Sequence, residues 1–366
     1  MQPRPPIHPL ATQPNFEQSC KHMRQRPEDL ESTLRKMILR GFNILGTLQA
    51  LTLLMTAALW LPASSQAQNY PKKPISLVVP FAPGGGTDSI ARDLAKLLSD
   101  KLEVPVIVDN KGGAGGALGA NGVAKSTNDG YTLLFATSTF ATNAALESNP
   151  PFDADKDFSA VAMIGRGPIL VVVSKDLGVK TLDQLIALAK NKVSLNYCSA
   201  GNGSINHLSA ELFKQKTGIE MTHIPYKGSG PATIDLLAGR VQVFFSTVPT
   251  ILPYIRQNSV ELIAVTGAKR LALFPNTPTS LEAGIKDLDL STWWGVLAPK
   301  GTPNGVVDKL NAAINAASAQ EPLHSRLVGE GASIESGSAK DFQAQLSSEI
   351  RMWKSLVKSA GLKDNS

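Results

Sequence analysis

The 366-residue chain has a formal net charge of +6, and 43% of its residues are hydrophobic, so it is long and apolar enough for two domains. Seven of its basic and four of its acidic residues fall within the first 67, which leaves a net charge of only +3 for the remainder. A charge that small and scattered excludes a nucleic-acid-binding surface. Cys20 and Cys198 are its two cysteines, and Cys20 lies in the leader predicted next, so the mature chain has no internal disulfide.

The first predicted element is a secretory leader. Three basic residues within 35–40 precede an apolar segment, 42–62, and small residues follow at Ser65 and Ala67. This order predicts a signal peptide cleaved after Ala67, with Met37 as the expected start of translation. A transmembrane anchor is the alternative, because the apolar segment approaches the ~20 residues that span a bilayer. The absence of a charged flank after it favours cleavage.

The next elements are a short strand, a glycine loop and a helix. The predicted strand is 75–79, and a proline-flanked triple glycine, 84–86, leads into a helix that carries Thr87 and Asp88 in its first turn. Glycines leave backbone N–H groups accessible beside a helix N-terminus, where partial positive charge favours an anion. The loop lacks the spacing of a phosphate loop or a dinucleotide fold. Residues 81–88 are therefore a candidate anion site, with a plain strand-to-helix turn as the alternative.

Strands and helices continue to alternate towards the end of the chain. The further predicted strands are 104–108, 132–136, 169–174, 194–197, 221–224, 242–246, 261–266 and 296–298. The predicted helices are 88–102, 116–125, 182–190, 206–216, 231–238, 250–257, 304–319 and 339–360. Such alternation predicts α/β layers with mostly parallel, buried strands.

The order of these elements predicts a second lobe inserted into the first. Residues 182–257 hold their own set of strand–helix units, and the strands on either side are placed to cross between lobes. We therefore expect a leader at 1–67, one lobe at 68–168 plus 267–366, and a second at 169–266. Two crossings give a hinge, and the carboxyl ends of strands from both lobes face the cleft between them.

Small polar residues follow four more predicted strands at the edge expected to face this cleft. These loops are 137–143, 199–204, 225–230 and 246–249. Each offers hydroxyls and accessible amides, although a single Ser or Thr in such a place is equally typical of a helix N-cap. Together with the first glycine loop they make five, and five loops converging on one cleft favour a ligand site.

The sequence lacks recognisable catalytic motifs. It contains neither G-x-S-x-G nor H-E-x-x-H. His207 begins a helix shortly after Cys198 and Ser199, and either residue could form a catalytic dyad with it. No acid is placed to orient the His207 imidazole, so a structural role is favoured. His223 lies within an apolar strand and is expected in the core. We therefore expect a protein without enzymatic activity, metal or cofactor.

Motifs along the chain match one family in particular. They include Val79-Pro-Phe-Ala-Pro-Gly-Gly-Gly-Thr-Asp88, Gly112-Gly-Ala-Gly-Gly116, Gly201-Asn-Gly-Ser-Ile-Asn-His-Leu208, His223-Ile-Pro-Tyr-Lys-Gly228 and Trp294-Gly-Val-Leu-Ala-Pro-Lys-Gly-Thr-Pro303. The chain resembles the Bug family of periplasmic solute-binding receptors, which serve tripartite tricarboxylate transporters. The matches are collinear and cover residues 70–362.

The resemblance implies a type II periplasmic-binding-protein fold: two α/β lobes, joined by a hinge, that close on a small carboxylate. It implies a location in the periplasm and delivery of the ligand to membrane transporter subunits. We expect a monomer with no nucleic-acid partner. A receptor that feeds a signalling partner uses the same cleft chemistry and remains an alternative, and a secreted hydrolase is a further one.

The resemblance also implies a ligand site. In this family a carboxylate is held largely by backbone amides and bridging waters. Residue by residue, the matching positions are Phe81, Ala82, Gly84, Gly85, Thr87, Asp88, Thr137, Thr139, Ser199, Asn202, Gly203, Ser204 and Tyr226. This chain departs from many members at Ser246, where they carry an acidic residue. Serine has no charge to pair with an ammonium group, so we expect a ligand without one, unless Ser246 merely caps the following turn.

Overall fold

The computed structural model describes residue 35 and residues 70–146, 150–329, 331–359 and 361–362. The predicted signal peptide and its cleavage site therefore lie outside the described residues. All elements named below belong to one compact unit, Gln66–Ser366. None of the helices in the described ranges is long and apolar enough to cross a membrane.

Ten strands make up the sheets in the described part of the chain. They are β1 Ile75–Val79, β2 Val106–Asn110, β3 Thr132–Thr137, β4 Phe158–Ser174, β5 Asn196–Ser199, β6 Thr222–Pro225, β7 Val243–Thr247, β8 Val260–Val265, β9 Ser291–Pro299 and β10 Ser333–Ile334. The α-helices are α1 Gly86–Leu102, α2 Ala117–Ala124, α3 Ser138–Leu146, α4 Leu182–Lys190, α5 Ile205–Thr217, α6 Ser229–Leu237, α7 Val248–Arg256, α8 Asn304–Ser318, α9 Leu323–Gly329 and α10 Ala339–Ser359.

Strand β4 belongs to both sheets. As far as Pro168 it pairs with β9 and β10, and from Ile169 onwards it pairs with β7 and β8. The first sheet therefore runs β2-β1-β3-β9-β4, and the second runs β4-β7-β5-β6. With helices packed on them, the sheets form the two α/β lobes expected for a periplasmic-binding-protein fold. The lobe limits 168/169 and 266/267 stay predictions.

The expectation of mostly parallel strands is wrong for the centre of both sheets. The pairs of β1 with β2 and β3, and of β5 with β6 and β7, are parallel. In contrast, β4 is antiparallel to β7, β8 and β9. The cause is the insertion itself: β4 leaves the first lobe and β9 returns to it, so the two run in opposite directions.

Sequence patterns missed two elements that position the site. The first half of β4 was not predicted because Gly165, Gly167 and Pro168 interrupt its apolar run. Helix α3 was predicted as a loop. Almost every residue of α3 is buried, so the helix shows no polar face and no helical periodicity.

The core lies on both faces of each sheet. Alternate side chains of β4 point to opposite faces, with Val171 and Val173 in one cluster and Leu170 and Val172 in another. The first cluster continues into the other lobe, where α3 and α10 cover the sheet. Trp293 is fully buried there, and its neighbour Trp294 is buried on the opposite face.

Candidate functional site

A small cavity of about 20 Å³ lies between the lobes. Seven of the residues expected to bind ligand line it, all from the first lobe: Phe81, Ala82, Gly85, Thr87, Asp88, Thr137 and Thr139. The facing wall comes mainly from the second lobe: Ala200, Ile205, Asn206, Ser229, Thr247 and Thr292, the last from β9. The structure thus brings together half of the predicted set.

Five helices begin at this cavity. They are α1 and α3 from the first lobe and α5, α6 and α7 from the second, five in all, and each has a lining residue within or directly before its first turn. Unpaired N–H groups and the helix dipole give such ends partial positive charge. The lining residues include neither lysine nor arginine. An anion in the cavity would therefore be stabilised by helix ends and hydroxyls rather than by a side-chain cation.

Asp88 is the one acidic residue in the lining, and its carboxylate is already occupied. It accepts hydrogen bonds from the Gly84 amide at 3.1 Å, from Arg92 Nε at 3.0 Å and from Asn110 Nδ2 at 2.9 Å. Burial alone would raise the pKa of Asp88, but these donors outweigh it and hold the pKa below its usual value. Asn110 also donates to the carbonyl oxygen of Phe81 at 3.1 Å. Asp88 therefore fixes the shape of the glycine loop.

The threonine hydroxyls of α3 and β3 connect the two walls. Thr137 Oγ1 accepts a hydrogen bond from the Thr139 amide at 3.2 Å, and Thr139 Oγ1 accepts one from the Ile205 amide at 3.2 Å. The second of these bonds runs from the first lobe to the N-terminus of α5 in the second. Because both oxygens act as acceptors, each hydroxyl retains a proton that it can donate to a ligand.

The remaining predicted residues do not line this cavity, and most have other contacts. Ser204 caps α5 by accepting a hydrogen bond from the His207 amide at 3.3 Å. The Gly203 amide donates to His207 Nδ1 at 3.1 Å, and Tyr226 donates from its hydroxyl to Asp235 at 2.6 Å. The others are Gly84, whose amide binds Asp88, Asn202, which faces Gly115, and the buried Ser199 and Ser246.

Ser246 is fully buried in β7, where its hydroxyl lies 3.3 Å from the carbonyl oxygen of Thr247. Its register partner on β4 is Leu170. From this strand, it is Thr247 that reaches the cavity. The argument that Ser246 selects the ligand directly therefore has no support from its position.

The residues that the sequence missed fall into two groups. Ala200, Ser229 and Thr247 belong to loops that the sequence did single out, and only the choice of residue within each loop was different. Ile205, Asn206 and Thr292 lie outside those loops. No sequence signal marks Thr292, because the returning strand β9 carries it to the cavity.

The structure brings Ser199 together with two histidines next to the loop 199–204, although not in the arrangement considered from the sequence. Ser199 Oγ lies 2.6 Å from His223 Nε2, so its partner is His223 and not His207. The rings of His207 and His223 stack at 4.0 Å, and Tyr197 stacks on His223 at 4.9 Å. Burial, reinforced by His207 and Lys214, lowers the pKa of His223 to about 3. None of the stacked residues lines the cavity, which fits the structural role favoured for His207.

The remaining reactive groups do not line the cavity either. Cys198 is buried in β5, and burial raises the pKa of its thiol, which keeps it protonated. Among the residues that the structure describes, no three His, Cys, Asp or Glu side chains cluster as metal ligands would. What the cavity lining offers is amides, hydroxyls and helix ends.

Two α/β lobes that enclose a cavity at their helix N-termini define a periplasmic binding protein. Comparison with known proteins gives the family. Residues 90–362 match the tripartite tricarboxylate transporter family receptor, so the chain belongs to this family, in which the Bug proteins are found.

Individual relatives agree with this assignment. The protein BugT of Bordetella pertussis is 37% identical over 311 residues, which covers 84% of this chain and 95% of BugT. The periplasmic binding protein BugD superposes with a TM-score of 0.78 at 33% identity, covering 80% of this chain and 99% of BugD. The R. palustris protein Rpa4515, solved with adipate, has a TM-score of 0.76 at 37% identity, covering 80% and 98%. The family and these neighbours are binding proteins rather than enzymes.

Proposed function

We propose that this chain is a periplasmic receptor that captures a small carboxylate between its lobes and delivers it to a tripartite tricarboxylate-type membrane transporter. One observation carries the proposal: five helix N-termini meet at a cavity whose lining holds hydroxyls and amides but no lysine or arginine. Helix ends of this kind favour anions. The adipate in Rpa4515 supports a carboxylate as the anion. Export by a cleaved signal peptide is part of the same proposal.

We propose that the ligand lacks an ammonium group. The reason is the environment of Asp88 and not, as the sequence suggested, the identity of Ser246. An ammonium group needs a free carboxylate partner in the site. The one carboxylate in the lining, Asp88, already accepts from Arg92, Asn110 and the Gly84 amide. A plain mono-, di- or tricarboxylate or an aromatic acid fits these donors better than glutamate or aspartate.

Capture is proposed to proceed by closure about the hinge. The first lobe supplies the ends of α1 and α3, and the second supplies the ends of α5, α6 and α7. Only the closed conformation places both sets around one anion, so a ligand that contacts both selects that conformation. The same closure brings hydroxyls from both walls, such as Thr137 and Ser229, to the ligand.

A thermal-shift screen tests the binding function. The purified protein is first unfolded and refolded to remove co-purified ligand, then heated with mono-, di- and tricarboxylates, aromatic acids, acidic amino acids and neutral amides of matched size. A ligand specific for the folded state stabilises it by about 2.7 kcal/mol at a hundredfold excess over Kd. We expect a stabilising carboxylate and no stabilising amide. A screen in which no carboxylate raises the melting temperature contradicts the proposal.

Delivery to a transporter needs a separate experiment. The ligand-loaded protein is crosslinked in intact cells, and the captured membrane proteins are identified. Recovery of transporter subunits supports the proposal. Recovery of a sensor kinase instead assigns the chain to signalling, with the same cleft chemistry.

A further inference from the structure

The two lobes contact each other directly at the edges of the cavity. The amide of Ala82 donates to the carbonyl oxygen of Lys227 at 2.8 Å, and the amide of Gly86 donates to Thr250 Oγ1 at 3.1 Å. Farther along, Thr142 donates to the carbonyl oxygen of Gly203 at 2.6 Å. All three bonds join the first lobe to the second. The closed conformation therefore has stabilising contacts of its own, between protein atoms alone.

Two of the closest approaches occur at glycines in the first turns of helices. A Cβ on Gly86, in α1, would lie 2.6 Å from Pro249 Cβ and 2.6 Å from the Thr250 amide nitrogen. A Cβ on Gly230, in α6, would lie 2.9 Å from the carbonyl oxygen of Pro83. Real Cβ atoms essentially never come within 3.0 Å of such neighbours. In both cases the nearest atoms belong to the opposite lobe, so any side chain would hold the lobes apart.

Backbone conformation does not explain these glycines. Neither Gly86 nor Gly230 has a positive φ, so alanine fits both positions as far as its own helix is concerned. Alanine is also the better helix former by about 1 kcal/mol. By contrast Gly115, whose Cβ would lie 1.8 Å from the Asn202 carbonyl oxygen, has a φ of 57° and needs glycine in any case. The lobe-to-lobe approach is therefore what Gly86 and Gly230 serve.

We infer that Gly86 and Gly230, which we call the contact glycines, hold the receptor in its closed conformation and so set its ligand affinity without lining the cavity. Neither contact glycine lines the cavity, although their chain neighbours Gly85 and Ser229 do. The effect of these glycines on ligand affinity rests on the proposed function. If opening reduces the closed fraction tenfold, the apparent Kd rises tenfold, because only the closed state contacts ligand from both lobes.

Small-angle X-ray scattering of the purified, refolded protein without ligand tests the inference. The variants are Gly86→Ala and Gly230→Ala. Gly122→Ala is the matched control, since Gly122 is an exposed position of α2 and its Cβ would meet nothing within 4 Å. We expect a larger radius of gyration for both contact variants and the wild-type radius for the control. Melting temperatures recorded alongside show that each variant is folded.

The outcomes separate this inference from the proposed function. Equal radii for wild type and both contact variants overturn it, and so does an increase in the control, which would indicate general loosening. If one contact variant fails to fold, the other decides. The scattering requires no ligand, so a failure of every carboxylate to bind would contradict the proposed function while leaving the scattering result as it is.

Discussion

Asp88 illustrates how a residue can line a ligand cavity and still act on the protein rather than the ligand. Motif matching selected it as a ligand contact. In the structure it accepts hydrogen bonds from three protein donors, and one of them, Asn110, also holds the Phe81 carbonyl. Its contribution is to keep the backbone amides of the glycine loop in position.

Replacing Asp88 by asparagine tests this role. Asparagine offers one acceptor oxygen instead of two charged ones, so the donors of Arg92 or Asn110 lose a partner. We expect a loss of about 1–3 kcal/mol in the free energy of unfolding by urea. Asp109→Asn is the control, because its ion pair with Lys111 is exposed and is worth about 0–1 kcal/mol. Equal losses in the two variants would contradict the role assigned to Asp88.

His223 provides a pH dependence. Its folded-state pKa, about 3, lies below the value of about 6.5 for an unfolded histidine. The neutral ring therefore stabilises the fold fully above pH 6.5, and this stabilisation is lost as the pH falls from 6.5 towards 3. The titratable groups near the ring are His207 and Lys214, and Glu211, which accepts a hydrogen bond from Tyr197, lies beside them.

The prediction for His223 is a change of slope. Between pH 7 and pH 5, the unfolding free energy of the wild type should fall more steeply than that of His223→Gln, measured by urea titration at each pH. His324→Gln serves as control, since His324 is 45% exposed, and should keep the wild-type slope. Parallel pH profiles for wild type and His223→Gln would show that His223 titrates alike in both states.

At the scale of elements, the site is formed where the N-termini of several helices lie close together. Gly85 precedes α1, and a Cβ there would lie 3.4 Å from the Gly230 amide nitrogen and 3.6 Å from Ser229 Cβ. Alanine would be in ordinary contact, whereas the longer side chain of valine would enter the space between α1 and α6. Gly85 has an extended conformation, with a φ of −87°, so valine does not strain the loop itself.

Gly85→Val should therefore abolish the thermal shift that the best carboxylate gives with the wild type. The melting temperature without ligand should change by no more than a few degrees. Gly337→Val is the control, because that Cβ would meet nothing within 4 Å and the residue lies far along the chain from the cavity wall. A normal thermal shift in Gly85→Val would mean that the first loop is only a turn.

Helices and loops were predicted well from the sequence where local signals agree. Helix α4 was predicted residue for residue as Leu182–Lys190, and in the structure Thr181 caps its N-terminus. The glycine loop was placed correctly between β1 and α1. Helix α3 was missed because a helix buried on nearly all sides has no polar face to reveal its period.

The site was predictable on one wall only. Positions in the first lobe follow a continuous motif, and most of them line the cavity. In the second lobe the sequence identified the loops but not which residue of each faces the cleft. That choice depends on how the lobes meet. Thr292 was missed for another reason: it belongs to the strand that returns to the first lobe after the whole second lobe.

At the scale of the whole molecule, the two chain segments that cross between the lobes are joined by hydrogen bonds at Thr266. Thr266 donates to the Ile169 carbonyl oxygen from its amide at 2.9 Å, and its hydroxyl lies 2.7 Å from the Leu290 carbonyl oxygen. In the proposed closure, these bonds keep the lobes in register as they rotate. Ligand contacts and the contact glycines then act on the same equilibrium between open and closed forms.

The most direct test of the central claim is isothermal titration of the refolded protein with the carboxylate that gives the largest thermal shift. The account predicts saturable binding of one ligand per chain, with no heat after saturation and with the ligand recovered unchanged. Gly85→Val should give no binding heat in the same titration. Heat that continues at a constant rate after saturation, or the absence of binding by any carboxylate, would contradict a receptor that closes on its ligand without transforming it.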